Sequence, residues 1–310
     1  MSVHPDFQAI LDMVNSLPAT DYSRPPLELA QEMRSAPVRI PPLPNAVAVE
    51  VRKVSGSDGH AIPVRIYRPE SPAPHAVLVS MHGGGWVRGS LDGDEFRSHF
   101  MAHESGCAVV SVDYRLAPEH PYPAALNDCL AVIEWVAREA AALGFDKQRI
   151  GVAGDSAGAN LATAVALKLR DGSGPLLKCQ ILVYPVCDHD FDRPSYLANA
   201  EGKLLTRQFM MWCWDQYAGG ADRNLPYLSP LRAGDLSGMP PTLLLTAEYD
   251  PLRDEGEAYA RALQQAGNLV KAERLDGMVH PFQSLAPQHP CSIESFKAAA
   301  SFAKAHLNPT

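Results

Sequence analysis

Short, continuously apolar segments recur along most of this chain and are separated by longer segments with a helical pattern. The apolar segments are residues 75–81, 107–112, 149–154, 179–186, 241–247 and 269–275. The helical segments between and after them are residues 123–143, 156–170, 254–266 and 291–306. Strands that are apolar on both faces and alternate with helices indicate a parallel sheet covered on each side. The pattern therefore predicts an α/β fold.

The first part of the chain follows a different pattern. Residues 47–54 and 61–68 are rich in strand-forming residues and flank the turn Ser-Gly-Ser-Asp-Gly-His, which is typical of an antiparallel pair. An amphipathic helix is predicted before them, because apolar residues recur there at helical spacing, namely Phe7, Ile10, Leu11 and Val14. We therefore expect the sheet to begin with antiparallel strands.

One interval breaks the alternation of strand and helix. Residues 209–214 form the centre of a helix that is apolar on every side, and such a helix needs cover on more than one face. We predict a single domain over residues 1–310, in which about 187–225 and 1–45 form a cap. The cap would lie over the carboxyl edge of the sheet, where open α/β sheets bind ligands.

Composition and charge exclude several classes of partner. The net charge is −8 without a basic stripe, so a nucleic-acid backbone would be repelled. Apolar runs stay well below the ~20 residues that span a bilayer, which predicts no membrane partner. The N-terminus lacks a basic region and a continuous apolar core, so we expect no signal peptide and a cytoplasmic location. The six cysteines form no Cys-x-x-Cys pair and are interpreted as reduced and structural.

The segment Gly-Asp-Ser-Ala-Gly, residues 154–158, places Ser156 directly after a predicted strand and at the start of a predicted helix. At ordinary glycine usage the pattern Gly-x-Ser-x-Gly occurs by chance in roughly one chain in ten, so a helix cap without chemistry is the alternative. A one-residue turn from strand to helix needs flanking glycines, and it exposes the serine hydroxyl. The Ala157 amide and the positive helix end face the space above Ser156, where an oxyanion could be held.

A glycine triplet follows the third predicted strand, in the segment Met-His-Gly-Gly-Gly-Trp-Val-Arg-Gly, residues 81–89. Consecutive glycines increase the entropy that folding must overcome, so packing does not explain them. They do allow backbone N–H groups to approach a ligand. We predict Gly84, Gly85 and Ala157 as oxyanion donors. A dinucleotide-binding loop is disfavoured, because Arg88 stands where that fingerprint requires glycine.

A catalytic serine needs a base, and in this strand order an acid and a histidine follow the serine along the chain. His280, His289 and His306 lie beyond the last two strands. Of these, only His280 is placed at the carboxyl end of a strand. We therefore predict His280 as the base.

The orienting acid should follow the strand at 241–247. Asp250 directly precedes Pro251, which biases it to an extended conformation and suits a fixed carboxylate. Glu248 is the reserve candidate. The predicted triad consists of Ser156, Asp250 and His280.

Together these residues resemble the bacterial hormone-sensitive-lipase-like (family IV) carboxylesterases of the α/β-hydrolase fold. The resemblance rests on five segments: "HGGGW" (82–86), "DYRLAPEHPYPAAL" (113–126), "GDSAGAN" (154–160), "DPLRDEG" (250–256) and the helical N-terminal cap. It implies a mostly parallel sheet with helices on both faces and a helical cap. It also implies hydrolysis of a small-molecule ester with a short or medium acyl chain, without a cofactor or metal. We expect a monomer or a homodimer.

Two positions depart from the family pattern. Ala159 replaces the usual glycine, which favours the helix. Pro281 follows His280 in place of the usual glycine and predicts a stiffer or shifted histidine loop.

The sequence leaves alternatives for the residues that line the substrate pocket and for the class of reaction. An acyl or alcohol pocket could be lined by Trp86, Met210, Met211 and Trp214, although these residues could equally form the interior of the cap. The same triad could serve an amidase, formamidase or deacetylase. A non-catalytic relative of the fold is disfavoured, because such proteins typically lose the triad histidine or acid.

Overall fold

An eight-stranded sheet runs through the part of the chain that the computed structural model describes, residues 2–43, 47–172 and 174–308. The strands are β1 (Ala48–Ser55), β2 (Ala61–Arg68), β3 (His75–Met81), β4 (Ala108–Val112), β5 (Phe145–Asp155), β6 (Leu177–Val183), β7 (Thr242–Tyr249) and β8 (Val270–Val279). Their spatial order is β1-β2-β4-β3-β5-β6-β7-β8. β2 is antiparallel to β1 and to β4, and the other neighbours are parallel. The predicted α/β fold with an antiparallel start is confirmed.

Eleven α-helices accompany the sheet within these residues. They are α1 (Pro5–Asn15), α2 (Pro26–Ser35), α3 (Glu95–Ser105), α4 (Ala124–Arg138), α5 (Ala140–Leu143), α6 (Ala157–Asp171), α7 (Pro194–Ala198), α8 (Arg207–Ala218), α9 (Arg253–Gln265), α10 (Phe282–Leu285) and α11 (Pro290–Leu307). The sequence predictions did not include α2, α3, α7 and α10. No helix in the described ranges combines the length and the apolar character needed to cross a bilayer.

Both faces of the sheet are covered, as the continuously apolar strands predict. Alternate residues of β3 belong to two different buried clusters, with Val77 and Val79 in one and Ala76 and Leu78 in the other. Side chains along a strand alternate between faces, so the two clusters occupy opposite sides of the sheet. The carboxyl ends of the parallel strands are left at one edge, where the connecting loops meet.

The first helix packs against the end of the sheet that carries β8. Phe7 and Leu11 of α1 are fully buried in the same cluster as Val279. The His4 amide donates a hydrogen bond to the Gly277 carbonyl, with an N···O distance of 2.9 Å. The amino-terminal segment is thereby anchored close to the loop that follows β8.

Candidate active site

Ser156 lies in a sharp turn between β5 and α6. Its φ is 54° and its ψ is −120°, a conformation that non-glycine residues adopt rarely and at an energetic cost. Two backbone hydrogen bonds hold the turn from the β6 side. The Ser156 amide donates to the Val183 carbonyl at 2.9 Å, and the Val186 amide donates to the Ser156 carbonyl at 3.4 Å. The surrounding backbone therefore fixes the conformation in which the serine side chain is presented.

The glycines on either side of Ser156 allow very close backbone contacts. A Cβ atom on Gly154 would lie 2.3 Å from the carbonyl carbon of Gly158. A Cβ atom on Gly158 would lie 2.1 Å from the Met81 carbonyl oxygen at the end of β3. Both distances are far inside van der Waals contact, so each position requires glycine.

We expect Gly158→Ala to lower the free energy of unfolding by at least about 1–3 kcal/mol, because the new methyl group meets rigid backbone rather than a flexible side chain. Gly234→Ala is the matched control, since a Cβ atom there would have no heavy atom within 4 Å. The measurement is the urea unfolding midpoint of both variants and the wild type. Equal midpoints for the two variants would contradict the close contact at Gly158.

His280 and Asp250 form a buried pair at the carboxyl ends of β8 and β7. The His280 Nδ1 atom lies 2.9 Å from Asp250 Oδ2, and the two side chains are 4% and 0% exposed. The other carboxylate oxygen, Oδ1, accepts the Leu252 amide at 2.8 Å. The Tyr184 ring lies edge-on to His280, with 4.5 Å between ring centroids. Pro281 does not prevent this contact, although we expected it to stiffen or shift the loop.

Glu248, the reserve acid, has a different partner. Its Oε2 atom accepts the Gly277 amide at 2.7 Å and so supports the backbone of β8. Asp250 is therefore the acid that the structure brings to His280.

The glycine loop after β3 has the backbone conformation that only glycine adopts readily. Gly84 has a φ of +124° and Gly85 a φ of +63°. A Cβ atom on Gly84 would lie 2.2 Å from the Arg88 carbonyl oxygen, and one on Gly85 would lie 2.5 Å from the Cys213 sulfur. Among the residues that the structure describes, no hydrogen-bond acceptor faces the amides of Gly84, Gly85 and Ala157. Their N–H groups remain available to a ligand.

Ser156, His280 and the two glycines line a cavity of about 570 Å³. Part of its wall comes from the amino-terminal segment, namely Val14, Thr20, Tyr22 and Met33. Another part comes from α8 and the residues before it, namely Leu204, Leu205, Phe209 and Met210. The cavity thus combines the predicted site residues with side chains from both segments that we predicted to form a cap.

Of the four residues predicted to line a substrate pocket, only Met210 lines this cavity. Trp86 and Trp214 are completely buried and pack edge to face, with 5.2 Å between ring centroids. Trp86 also stacks on Tyr217 at 4.3 Å. Met211 is 37% exposed and does not line the cavity. The two tryptophans join α8 to the glycine loop and do not line the cavity.

A buried charge cluster beside the serine turn was missed by the sequence analysis. Arg97 of α3 forms ion pairs with Asp155, which precedes Ser156, and with Asp94. Asp94 also accepts hydrogen bonds from three serine hydroxyls, those of Ser80, Ser98 and Ser111. Burial opposes the charged form of Arg97, but the attraction of Asp155 and Asp94 outweighs it and raises the pKa of the guanidinium. The Asp155 carboxylate therefore forms an ion pair with Arg97 and has a structural role.

One trio of potential metal ligands occurs among the described residues, and none of its members lines the cavity. It consists of His4, Asp6 and His289. The Nδ1 atoms of His4 and His289 accept backbone amides at the starts of α1 and α11, at 3.3 Å each. These histidines therefore act as helix caps, and the Nε2 atom of His289 lies 3.2 Å from Asp6 Oδ2.

Comparison with known proteins agrees with this geometry. A family model described as alpha/beta hydrolase fold matches residues 78–284. An ethyl acetate hydrolase of Pseudomonas putida is 38% identical over 92% of this chain and 93% of its own length. The carboxylesterase NlhH of Mycobacterium tuberculosis is 39% identical over 94% of this chain and 93% of its own length.

Solved structures give the same result. A thermostable esterase from Pseudomonas putida is 36% identical and superposes with a TM-score of 0.92 over 100% of this chain and 99% of that one. A hyperthermophilic esterase from the archaeon Pyrobaculum calidifontis is 35% identical, with a TM-score of 0.87 over 98% of this chain and 99% of that one. With the serine turn, the glycine loop and the histidine–aspartate pair in place, these matches show that the chain belongs to the hormone-sensitive-lipase-like carboxylesterases of the α/β-hydrolase fold.

Proposed function

We propose that this carboxylic ester hydrolase cleaves esters of short and medium-chain acids through an acyl-enzyme formed on Ser156. The observation that carries the proposal is the buried contact of 2.9 Å between His280 and Asp250, beside a cavity that Ser156 and His280 both line. A histidine that donates its Nδ1 proton to a carboxylate presents Nε2 as the proton acceptor.

In the proposed reaction, Ser156 Oγ attacks the ester carbonyl carbon while His280 Nε2 takes the hydroxyl proton. The amides of Gly84, Gly85 and Ala157 hold the developing oxyanion, a role in which one donor typically contributes about 10²–10³ in rate. When the carbon–oxygen bond to the alcohol breaks, His280 returns the proton to the leaving oxygen. Water activated by the same histidine then releases the acid and regenerates Ser156. These steps require no bound cofactor.

Residues 1–45 and 187–225 are proposed to act as the cap, with residues 44 and 45 outside the described part of the chain. Side chains from both segments line the cavity on the side facing Ser156 and the glycine loop. The volume of about 570 Å³ falls inside the range of about 300–1,000 Å³ typical of small-molecule sites. Such a cavity suits short and medium acyl chains. The cytoplasmic location and the monomeric or homodimeric state stay predictions.

The proposal is tested with p-nitrophenyl acetate, butyrate, octanoate and palmitate. We expect the highest kcat/KM between acetate and octanoate and a steep fall at palmitate, because an extended sixteen-carbon chain is longer than a compact cavity of about 570 Å³ is wide. The second candidate, an amidase, formamidase or deacetylase, is tested with p-nitroanilides of the same acids. Turnover of the anilides at rates equal to the esters would favour that candidate.

A further inference from the structure

Arg88 lies at the cavity three residues after the oxyanion glycines, and it is the one arginine or lysine among the cavity-lining residues. Its side chain is exposed, and its guanidinium carbon lies 5.2 Å from the centroid of the Phe209 ring. Phe209 belongs to α8 and lines the same cavity. The Arg88 side chain therefore extends from the glycine loop to α8.

Among the residues that the structure describes, Arg88 forms no ion pair with an aspartate or glutamate, which is unusual in this chain. Within the described residues, every other arginine except Arg39 forms an ion pair with an aspartate or glutamate. The two acidic residues that line the same cavity, Asp94 and Asp155, are both paired with Arg97. Asp94 and Asp155 share the one guanidinium of Arg97 and form no ion pair with Arg88, so within the described residues the Arg88 cation has no carboxylate of its own.

The contact with Phe209 orients the Arg88 guanidinium without using its N–H groups, because a cation–π contact engages the face of the guanidinium or its charge. Its five N–H donors form no hydrogen bond with any residue in the described ranges, and their fork geometry matches a carboxylate. Tyr22 lies nearby: burial raises the pKa of its hydroxyl, and the positive charge of Arg88 partly opposes that rise. A preoriented cation with free donors beside a proposed acyl-transfer site is arranged to bind an anionic group of the substrate.

We infer that Arg88 binds a carboxylate carried by the ester substrate, so that the enzyme prefers esters of carboxylate-bearing molecules over neutral esters of equal length. This inference rests on the proposed function, because it names the substrate class of that site. The carboxylate lies at a distance from the reacting carbon, so its contact is made equally in the ground state and in the transition state. Arg88 then acts on KM and leaves kcat unchanged.

Two pairs of substrate series test the inference in a pH-stat assay. The first compares monoethyl succinate, glutarate, adipate and suberate with ethyl alkanoates of matching length. The second compares acetyl esters of ω-hydroxy carboxylic acids with acetyl esters of the matching alkanols. The first pair places the carboxylate on the acyl side of the ester and the second on the alcohol side.

The variants are Arg88→Met, which keeps an apolar chain on Phe209, and Arg88→Lys, which keeps the charge. Arg261→Met is the control, because it removes one charge from an exposed site on α9. For the best carboxylate substrate we expect Arg88→Met to raise KM roughly fivefold, as an exposed ion pair of about 1 kcal/mol predicts. The neutral esters should stay within about twofold, which corresponds to the usual effect of a surface substitution. Arg88→Lys should restore part of the preference, and added salt should weaken it in the wild type.

The inference is overturned if the wild type shows no preference in either pair of series. It is also overturned if Arg88→Met changes carboxylate and neutral esters equally, since that result indicates a structural role of Arg88 in the glycine loop. Either result leaves the proposed function standing as long as the neutral esters are cleaved and Ser156→Ala abolishes their cleavage. If the wild-type enzyme cleaved none of these esters, the proposed function itself would be wrong.

Discussion

Ser156→Ala should lower kcat for p-nitrophenyl butyrate by roughly 10⁴–10⁶-fold, leaving only the rate that binding and the oxyanion donors support. The loss follows from the absence of a nucleophile, because alanine fits the turn and keeps the backbone contacts of residue 156. The thermal midpoint should change little or rise. The measurement combines steady-state kinetics with a thermal unfolding curve for the same preparation.

Ser301→Ala is the control for this variant, since Ser301 is exposed on α11 and does not line the cavity. It should keep kcat within about twofold. A Ser156→Ala enzyme that retains more than a hundredth of wild-type turnover would show that another group performs the attack.

Asp250→Asn should lower kcat by about 10⁴-fold while the fold is retained. The asparagine oxygen can still accept the Leu252 amide, but its NH₂ group then faces His280 and favours the tautomer with a proton on Nε2. A histidine in that tautomer cannot accept the proton of Ser156. The measurement is kcat for p-nitrophenyl butyrate together with the thermal midpoint.

Glu248→Gln provides the comparison, because Glu248 is the second acid after β7 and supports the Gly277 amide. Glutamine can still accept that hydrogen bond, so we expect a loss of less than about tenfold, consistent with a single neutral hydrogen bond. If Glu248→Gln removed activity and Asp250→Asn kept it, the roles of the two acids would be reversed.

The strand order and the contact between His280 and Asp250 could be anticipated because they follow from rules that act along the chain. Apolar runs identify strands, and loops after parallel strands meet at one edge of the sheet. Asp250 directly follows β7 and His280 directly follows β8, so a correct strand assignment already brings them to the same edge. Glycine positions are also informative, because a close backbone contact excludes a side chain and a positive φ favours glycine, although Ser156 adopts a positive φ as well.

The pocket residues were harder to predict because a buried aromatic residue has the same sequence pattern whether it faces a cavity or packed neighbours. Trp86 follows the glycine triplet directly, yet its side chain points into the packed interior and Arg88 lines the cavity. α8 is apolar on several sides, so its pattern does not indicate which side is open. Only the packing of the cap segments distinguishes Met210 from Met211.

The cluster of Arg97, Asp94 and Asp155 was missed for a related reason. The start of α3 carries the buried Glu95 and the mostly buried Arg97, and a polar sequence there gives no helical apolar stripe. The pairing also joins residues that are distant in sequence, which a local pattern cannot reveal. An aspartate directly before the serine was visible, but its partner was not.

The hydrogen bond from the His4 amide to the Gly277 carbonyl links the cavity wall to the loop that carries His280. Gly277 lies three residues before His280, and the same amino-terminal segment contributes Val14, Thr20 and Tyr22 to the cavity wall. Substitutions in that wall that admit bulkier acids can therefore also shift the backbone before His280, the proposed proton acceptor. Acyl range and turnover number are therefore expected to change together in libraries that target the first residues.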